Sequence, residues 1–276
     1  MPPKLGILAG SGNLPGEIIN FCQKTGRPYF VVGIENNTKK KLLENTPHTW
    51  ATLGAAGKII KILRDTNVEE IVMAGAIKRP AWNLIQPDWR GLKILPKLLS
   101  AKQGDAEILS LVINELEKEG FRVIGVGDIL TDIVTAEGSI GSVRPDKVAR
   151  QDIARALEVG LALRETEVGQ AMVVQQGVVL GIEAAEGTDA LMERCSNLHR
   201  AGPAGILLKL KMKNQDQRVD LPTIGPKTIE MAQKTGIRGI ALEAQGSLIL
   251  EQACTIKKAN FLKIFIVGIK IEQVVR

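Results

Sequence analysis

"KLGILAGSGNLPGEIINFCQKTG", Lys4 to Gly26, decides the fold class. Lys4–Ala9 is a short apolar run without polar alternation, the pattern of a strand covered on both faces. Gly10-Ser11-Gly12 interrupts it. From Leu14 the apolar residues recur at helical spacing, and Gly26 supplies the stop. A buried strand, a glycine turn and a helix make the first half of a βαβ unit.

The alternation continues outward from this stretch. "PYFVVGI" (28–34), "EEIVMAGAI" (69–77) and "FRVIGVG" (121–127) read as strands. "AGKIIKILRDTN" (56–67), "LPKLLSAK" (95–102) and "AEILSLVINELEKEG" (106–120) read as helices. Such alternation predicts an α/β fold with a Rossmann-like parallel sheet over 1–132. The small, polar stretch "TDIVTAEGSIGSVRPDK" (131–147) breaks the rhythm, so 133–146 is expected to be a linker. A second α/β domain with a mixed sheet is expected over 147–276. Its elements are a long helix at "VARQDIARALEVGLALRET", a strand pair around Gln175-Gln176-Gly177, a helix capped by Thr188, and three further strands. The last of these is read as "FLKIFIVGI" (261–269).

Composition narrows the function. The chain has 276 residues and a formal charge of +6, but its cations are scattered and aromatics are only 3%. Aromatic stacking platforms for single strands are therefore not expected, and no nucleic-acid partner is. The three cysteines, Cys22, Cys195 and Cys254, have neither metal nor redox spacing and read as reduced core thiols of a cytoplasmic protein. No signal-peptide design and no membrane span is visible. His48 and His199 are too far apart for a histidine metal site and lie near no serine-nucleophile motif.

Two regions carry candidate chemistry. The turn Gly10, Ser11, Gly12 and Asn13 can cradle a phosphate at a helix N-terminus, with Glu35 at a ribose-binding position. Pro15 replaces the third glycine of the dinucleotide fingerprint, which argues against NAD. The end of the third strand adds Gly75, Lys78 and Arg79, with Trp82 and Trp89 following. The second region is acidic. Glu183 sits on or after an apolar strand, Glu186 follows in a loop, and Asp189 lies in a first helical turn. Lys209, Gln215, Arg218 and Asp220 follow, the last within "QRVDLPTIGP" (217–226). Read alone, Asp220 is either a turn residue or a working carboxylate. Several carboxylates with a lysine and an arginine suit magnesium and a diphosphate, because Mg²⁺ takes few protein carboxylates and keeps waters and phosphate oxygens.

"KLGILAGSGNLP", "GAAGKIIKILR", "AGAIKRP", "DWRGLKILPKLLSAKQGDAEIL", "EKEGFRVIG", "VVLGIEAAEGTDALMERC" and "QDQRVDLPTIGPKTI" together resemble the cytoplasmic UDP-2,3-diacylglucosamine pyrophosphatases of lipid A synthesis. The type is the one with two α/β domains, not the calcineurin-like metallophosphatase. The resemblance implies Mg²⁺-dependent hydrolysis of UDP-2,3-diacylglucosamine to UMP and 2,3-diacylglucosamine 1-phosphate (lipid X), by water attack on the sugar-side phosphorus. It places Asp220 at the family's essential aspartate. Asp220, Glu183 and Asp189 are then the expected metal ligands, with Arg218 and Lys209 neutralising charge. Gly10, Ser11, Gly12, Asn13, Gly75, Lys78, Arg79, Thr188, Gln215 and Thr223 are the expected substrate contacts. Whether Asp220 holds the metal or orients water stays open, and so do the roles of Lys211 and Lys213. Contact with the cytoplasmic face of the inner membrane and a homodimer are further expectations. The rival readings are a non-catalytic nucleotide or lipid sensor and an NAD(P)-dependent oxidoreductase.

Overall fold

A computed structural model of the chain describes residues 2–77, 87–92, 105–166, 168–213 and 215–271. The chain divides into two compact units, Met1–Leu130 with Asp216–Asp220, and Thr131–Gln215 with Leu221–Arg276.

The first unit contains β1 (Leu5–Ala9), α1 (Leu14–Thr25), β2 (Tyr29–Ile34), α2 (Lys40–Leu43), β3 (His48–Ala51), α3 (Ala56–Asp65), β4 (Glu70–Ala74), α4 (Asp105–Lys118), β5 (Arg122–Val123) and α5 (Val126–Ile129). Its sheet has the order β3-β2-β1-β4-β5 and every pairing is parallel. The expected parallel sheet is present, with β3 as an extra edge strand. The direction of winding reverses at β1, so the crevice above β1 and β4 is a topological switch point. The strands are apolar throughout because both faces are covered: Leu5, Ile7, Val31, Val32, Ile71 and Val72 are fully buried. α1 starts with Pro15 at its second position, where a missing N–H costs nothing, and ends on Gly26 in the left-handed region at φ 70°. Leu63, Ile60, Ile113 and Leu116 carry α3 and α4 onto one face, and Val219 packs against that same cluster. Burying a side chain such as Leu63 contributes roughly 1.5–3 kcal/mol. At the opposite end of β4, Glu70 pairs with both Arg27 and Arg122.

The second unit contains β6 (Gly138–Ile140), α6 (Lys147–Leu163), β7 (Ala171–Gln175), β8 (Val178–Ile182), α7 (Thr188–Ser196), β9 (Ile206–Lys209), β10 (Thr223–Ile224), α8 (Pro226–Lys234), β11 (Gly239–Glu243), β12 (Leu248–Ile249), α9 (Gln252–Phe261) and β13 (Phe265–Ile269). Six strands form the mixed sheet, in the order β6-β13-β11-β9-β7-β8. β9, β11 and β13 run parallel, while β6, β7 and β8 enter antiparallel pairings. The stretch expected as a linker therefore includes an edge strand of this sheet. Its small residues read as a loop because three strand residues show no period. The last strand begins at Phe265, not Phe261, which closes α9. Leu191, Met192, Ile229, Ala232 and Ala259 place α7, α8 and α9 on one face. Ala149, Ile153, Ala156 and Leu157 place α6 on the other. β10 and β12 form a separate parallel pair, closed by Leu248 N–H donating to the Pro222 carbonyl and Leu250 N–H to Ile224.

Cys22 and Cys195 are buried as expected of core thiols, whereas Cys254 is exposed on α9. Among the described residues no helix is long and apolar enough to cross a membrane.

Candidate active site

The second unit builds its site at the C-terminal end of β9. Lys209 is the last residue of that strand and lies directly opposite Ala171 on β7 and Leu242 on β11. The Ala171 carbonyl accepts the Glu183 amide at 2.8 Å, so Glu183, Ala171, Lys209 and Leu242 form one row across the sheet. In-register neighbours share a face. The row thus faces the side that α7 and α8 cover. The ends of parallel strands are where open α/β sheets bind ligands.

Both charged members of the row are buried, with 6% exposure for each of Glu183 and Lys209. Buried charges need partners. Lys209 Nζ donates to the Thr223 carbonyl at 3.1 Å. Thr188 Oγ1 donates to Glu183 Oε1 at 2.9 Å, while Glu183 Oε2 is buried without a hydrogen-bond partner. A buried carboxylate oxygen of this kind has the chemistry to accept a donor or to bind a cation.

A cavity of about 360 Å³ opens above this row, lined by Glu186, Gly187, Thr188, Asp189, Lys209, Thr223 and Thr228. Two helices begin at its wall. α7 is entered through Gly187, at φ 82°, which makes Gly187 the cap; Thr188, expected as cap, is the first helical residue. Gly187 fits because that backbone region disfavours side chains. α8 is entered through Gly225 with Pro226 at its first position, and Thr228 Oγ1 accepts the Gly225 amide. First-turn amides have no partner inside their own helix and carry the positive end of its dipole. Two such ends with an ammonium group favour phosphate oxygens. The acids add the opposite preference. Glu186 is held by Arg194 at 2.7 Å and by the Ala184 amide, and the Arg194 hydrogen bond keeps its carboxyl below the usual range. Asp189 is exposed in the first turn of α7. The lining thus combines groups that favour phosphate oxygens with carboxylates that favour a cation.

Among the described residues, no three His, Cys, Asp or Glu side chains gather into a metal cluster. The residues still fit magnesium of the kind that takes one or two protein carboxylates and fills its shell with water and phosphate oxygens. Glu183, with its unpaired buried oxygen, is the first candidate ligand.

The motif around Asp220 divides between the two units. Thr223 accepts Lys209 and lines the cavity. Asp220, three residues earlier, is half-buried and belongs to the segment that packs with the first unit. Arg218, expected to neutralise phosphate charge, has its guanidinium on two carboxylates instead: Asp216 at 2.7 Å and Glu117 at 2.6 Å. Glu117 lies on α4, 101 residues away, and no local sequence signal connects it with Arg218. Gln215 is buried and accepts the Met212 amide, so it shapes its own loop. The Lys211 amide donates to Glu243, and Lys213 pairs with Glu165.

The glycine turn of the first unit is occupied by its own backbone. Gly10 N–H donates to the Ala74 carbonyl at 2.8 Å; Ser11 N–H and Oγ both donate to the Ala76 carbonyl. Ala76 N–H returns to the Ser11 carbonyl. Gly75, at φ 88°, lies so close that a Cβ there would be 2.2 Å from the Ser11 oxygen. The amides of Gly10 and Ser11 thus fasten β1 to β4 rather than face a ligand. Gly12 and Asn13 lead into α1 beyond this clamp. Lys78, Arg79 and Trp82 lie outside the described residues; Trp89 is exposed, with Arg90 over its ring.

Residues 4–133 match the LpxI N-terminal domain and residues 136–267 the LpxI C-terminal domain. The chain belongs to the LpxI family. A relative from Caulobacter vibrioides, named UDP-2,3-diacylglucosamine pyrophosphatase LpxI, is 37% identical, with 96% of this chain and 97% of the relative covered. Among solved structures, a CobK precorrin-6A reductase has a TM-score of 0.32 at 9% identity, covering 98% of this chain and 88% of that one. Bordetella bronchiseptica WbmG, in complex with NAD and UDP, has a TM-score of 0.29 at 16% identity, covering 44% and 36%. LpxI membership accounts for both domains and for the sequence resemblance. The motif holding Asp220 falls inside the matched LpxI C-terminal domain.

Proposed function

We propose that this chain hydrolyses the diphosphate of UDP-2,3-diacylglucosamine, giving UMP and 2,3-diacylglucosamine 1-phosphate (lipid X). Full-length similarity to the Caulobacter pyrophosphatase supports the substrate. The observation that carries the reading in this chain is the anion pocket over β9, where Lys209 and the starts of α7 and α8 converge beside carboxylates.

In this reading, Lys209 and the first-turn amides of α7 and α8 bind diphosphate oxygens. They neutralise charge that grows on those oxygens in the transition state. Thr188 holds Glu183 in place through the hydroxyl bond at 2.9 Å. Magnesium, when bound, would supply Lewis-acid neutralisation of the diphosphate, with Glu183 and Asp189 as its candidate ligands. Asp220 orients the attacking water and accepts its proton. The water oxygen bonds to the sugar-side phosphorus, the bond from that phosphorus to the bridging oxygen breaks, and UMP leaves with the bridging oxygen.

The test is incubation with UDP-2,3-diacylglucosamine and Mg²⁺, with and without EDTA, in ¹⁸O water. UMP release that EDTA abolishes, with label only in the sugar phosphate, is the expected result. No UMP would favour a binding protein, EDTA-resistant release would remove the metal, and label in UMP would reverse the attacked phosphorus. Asp220→Asn should lose at least about a hundredfold in kcat, at the low end for general-base groups.

A further inference from the structure

We propose that Glu117 is a positioning residue for Asp220, acting through Arg218 and Asp216. The inference rests on the reading that Asp220 serves the hydrolysis.

Segment Asp216–Asp220 packs with the first unit, although the chain on both sides of it belongs to the second. Two attachments hold it there. Val219 packs against the first unit's core cluster. Arg218 reaches α4, donating from its Nη1 to Glu117 Oε1 at 2.6 Å. The same guanidinium grips Asp216 with its other edge, Nε to Oδ1 at 3.0 Å and Nη2 to Oδ2 at 2.7 Å. Asp216 then closes the turn. Its carbonyl accepts the amides of Val219 and Asp220, each at 3.2 Å. Gly125 lets the turn lie close, since a Cβ there would stand 3.3 Å from the Arg218 Cα. The chain of bonds runs from Glu117 through Arg218 and Asp216 to the backbone of Asp220.

Glu117 and Arg218 are 39% and 34% exposed, so their ion pair adds little to stability. Its geometric effect is larger. Arg218 makes a planar, two-sided contact that fixes its own direction. A catalytic group displaced by about 1 Å loses on the order of a hundredfold in rate. The arrangement also accounts for an arginine in this motif whose charge partners are carboxylates rather than phosphate.

The experiment measures steady-state UMP release and melting for Glu117→Gln, Glu117→Asp, Arg218→Lys and the Glu117→Gln/Arg218→Lys double variant, with Asp220→Asn alongside. Glu117→Gln is expected to lower kcat about tenfold while KM and melting temperature hold. Glu117→Asp should recover part of the loss, and the double variant should be no slower than Arg218→Lys alone. Unchanged kcat in Glu117→Gln, or kcat, KM and melting temperature falling together, would overturn the positioning role. Near-normal turnover in Asp220→Asn would instead remove the reading beneath it, whatever the Glu117 variants do.

Discussion

Two glycine turns that lead from a strand into a helix, one in each unit, use their backbone in opposite ways. In the first unit, Gly10 and Ser11 donate their amides to Ala74 and Ala76, and the turn becomes a clamp between β1 and β4. In the second unit, Gly187 and Thr188 open onto the cavity beside Lys209, and the Thr188 hydroxyl holds Glu183. The first turn carries the stronger sequence signal, a glycine pair after a buried strand at a topological switch point. The second carries a geometry that suits anions. A glycine turn becomes a phosphate site only when its amides are not already used within the fold.

The largest effect that tests this contrast is at Lys209. Lys209→Met keeps the stem packed on the sheet and removes the ammonium group. Removing one preorganised charge-stabilising donor costs roughly 2.7–4 kcal/mol in the barrier, or about 10²–10³ in kcat. UMP release should fall by that factor, and near-normal turnover would break the assignment of the pocket to the second unit. The first turn should answer in stability instead. Gly75→Ala puts a Cβ against the Ser11 oxygen at a φ of 88°, and should cost on the order of 1–3 kcal/mol with KM unchanged. Ser11→Ala, which loses one hydroxyl bond to Ala76, should cost about 0.5–1.5 kcal/mol. A rise in KM without loss of stability in either variant would return the substrate to the first turn.

Much of this was legible in the sequence, and what was not has identifiable causes. β1, β2 and β4 are continuous apolar runs, and α6 has clear helical spacing, so pattern sufficed. β10 and β12 have two residues each and carry no period at all. β3 begins with His48 and Thr49 and gains its place by pairing with Val31–Ile34 of β2. Glu183 stood out as a carboxylate in an apolar strand, and burial beside Thr188 accounts for that signal. Lys209 ends an apolar strand, a position that marks the ligand edge of a sheet only once strand directions are known. Thr228 has a local signal, because Gly225-Pro226 followed by a hydroxyl at the third helical position is a capping pattern. Glu117 had no local signal, because its partner is brought to α4 by the fold.

The smallest effect separates the two turns by pH. Glu186 belongs to the second turn, and its carboxyl is held below its ordinary value of 4.5 by the Arg194 hydrogen bond, aided by backbone amides. A carboxylate depressed in the folded state stabilises that state at pH values above its unfolded value. The contribution is lost as pH falls through the lower, folded value. Melting of the wild type minus that of Glu186→Gln should therefore be constant above about pH 4.5 and close below it. The clamp turn has no titrating group, since Ser11 binds Ala76 through a hydroxyl. The gap between wild type and Ser11→Ala should stay flat across the same range. A Glu186 gap that also stayed flat would mean that Arg194 does not hold the second turn. The cavity wall at α7 would then depend on Gly187 and Thr188 alone.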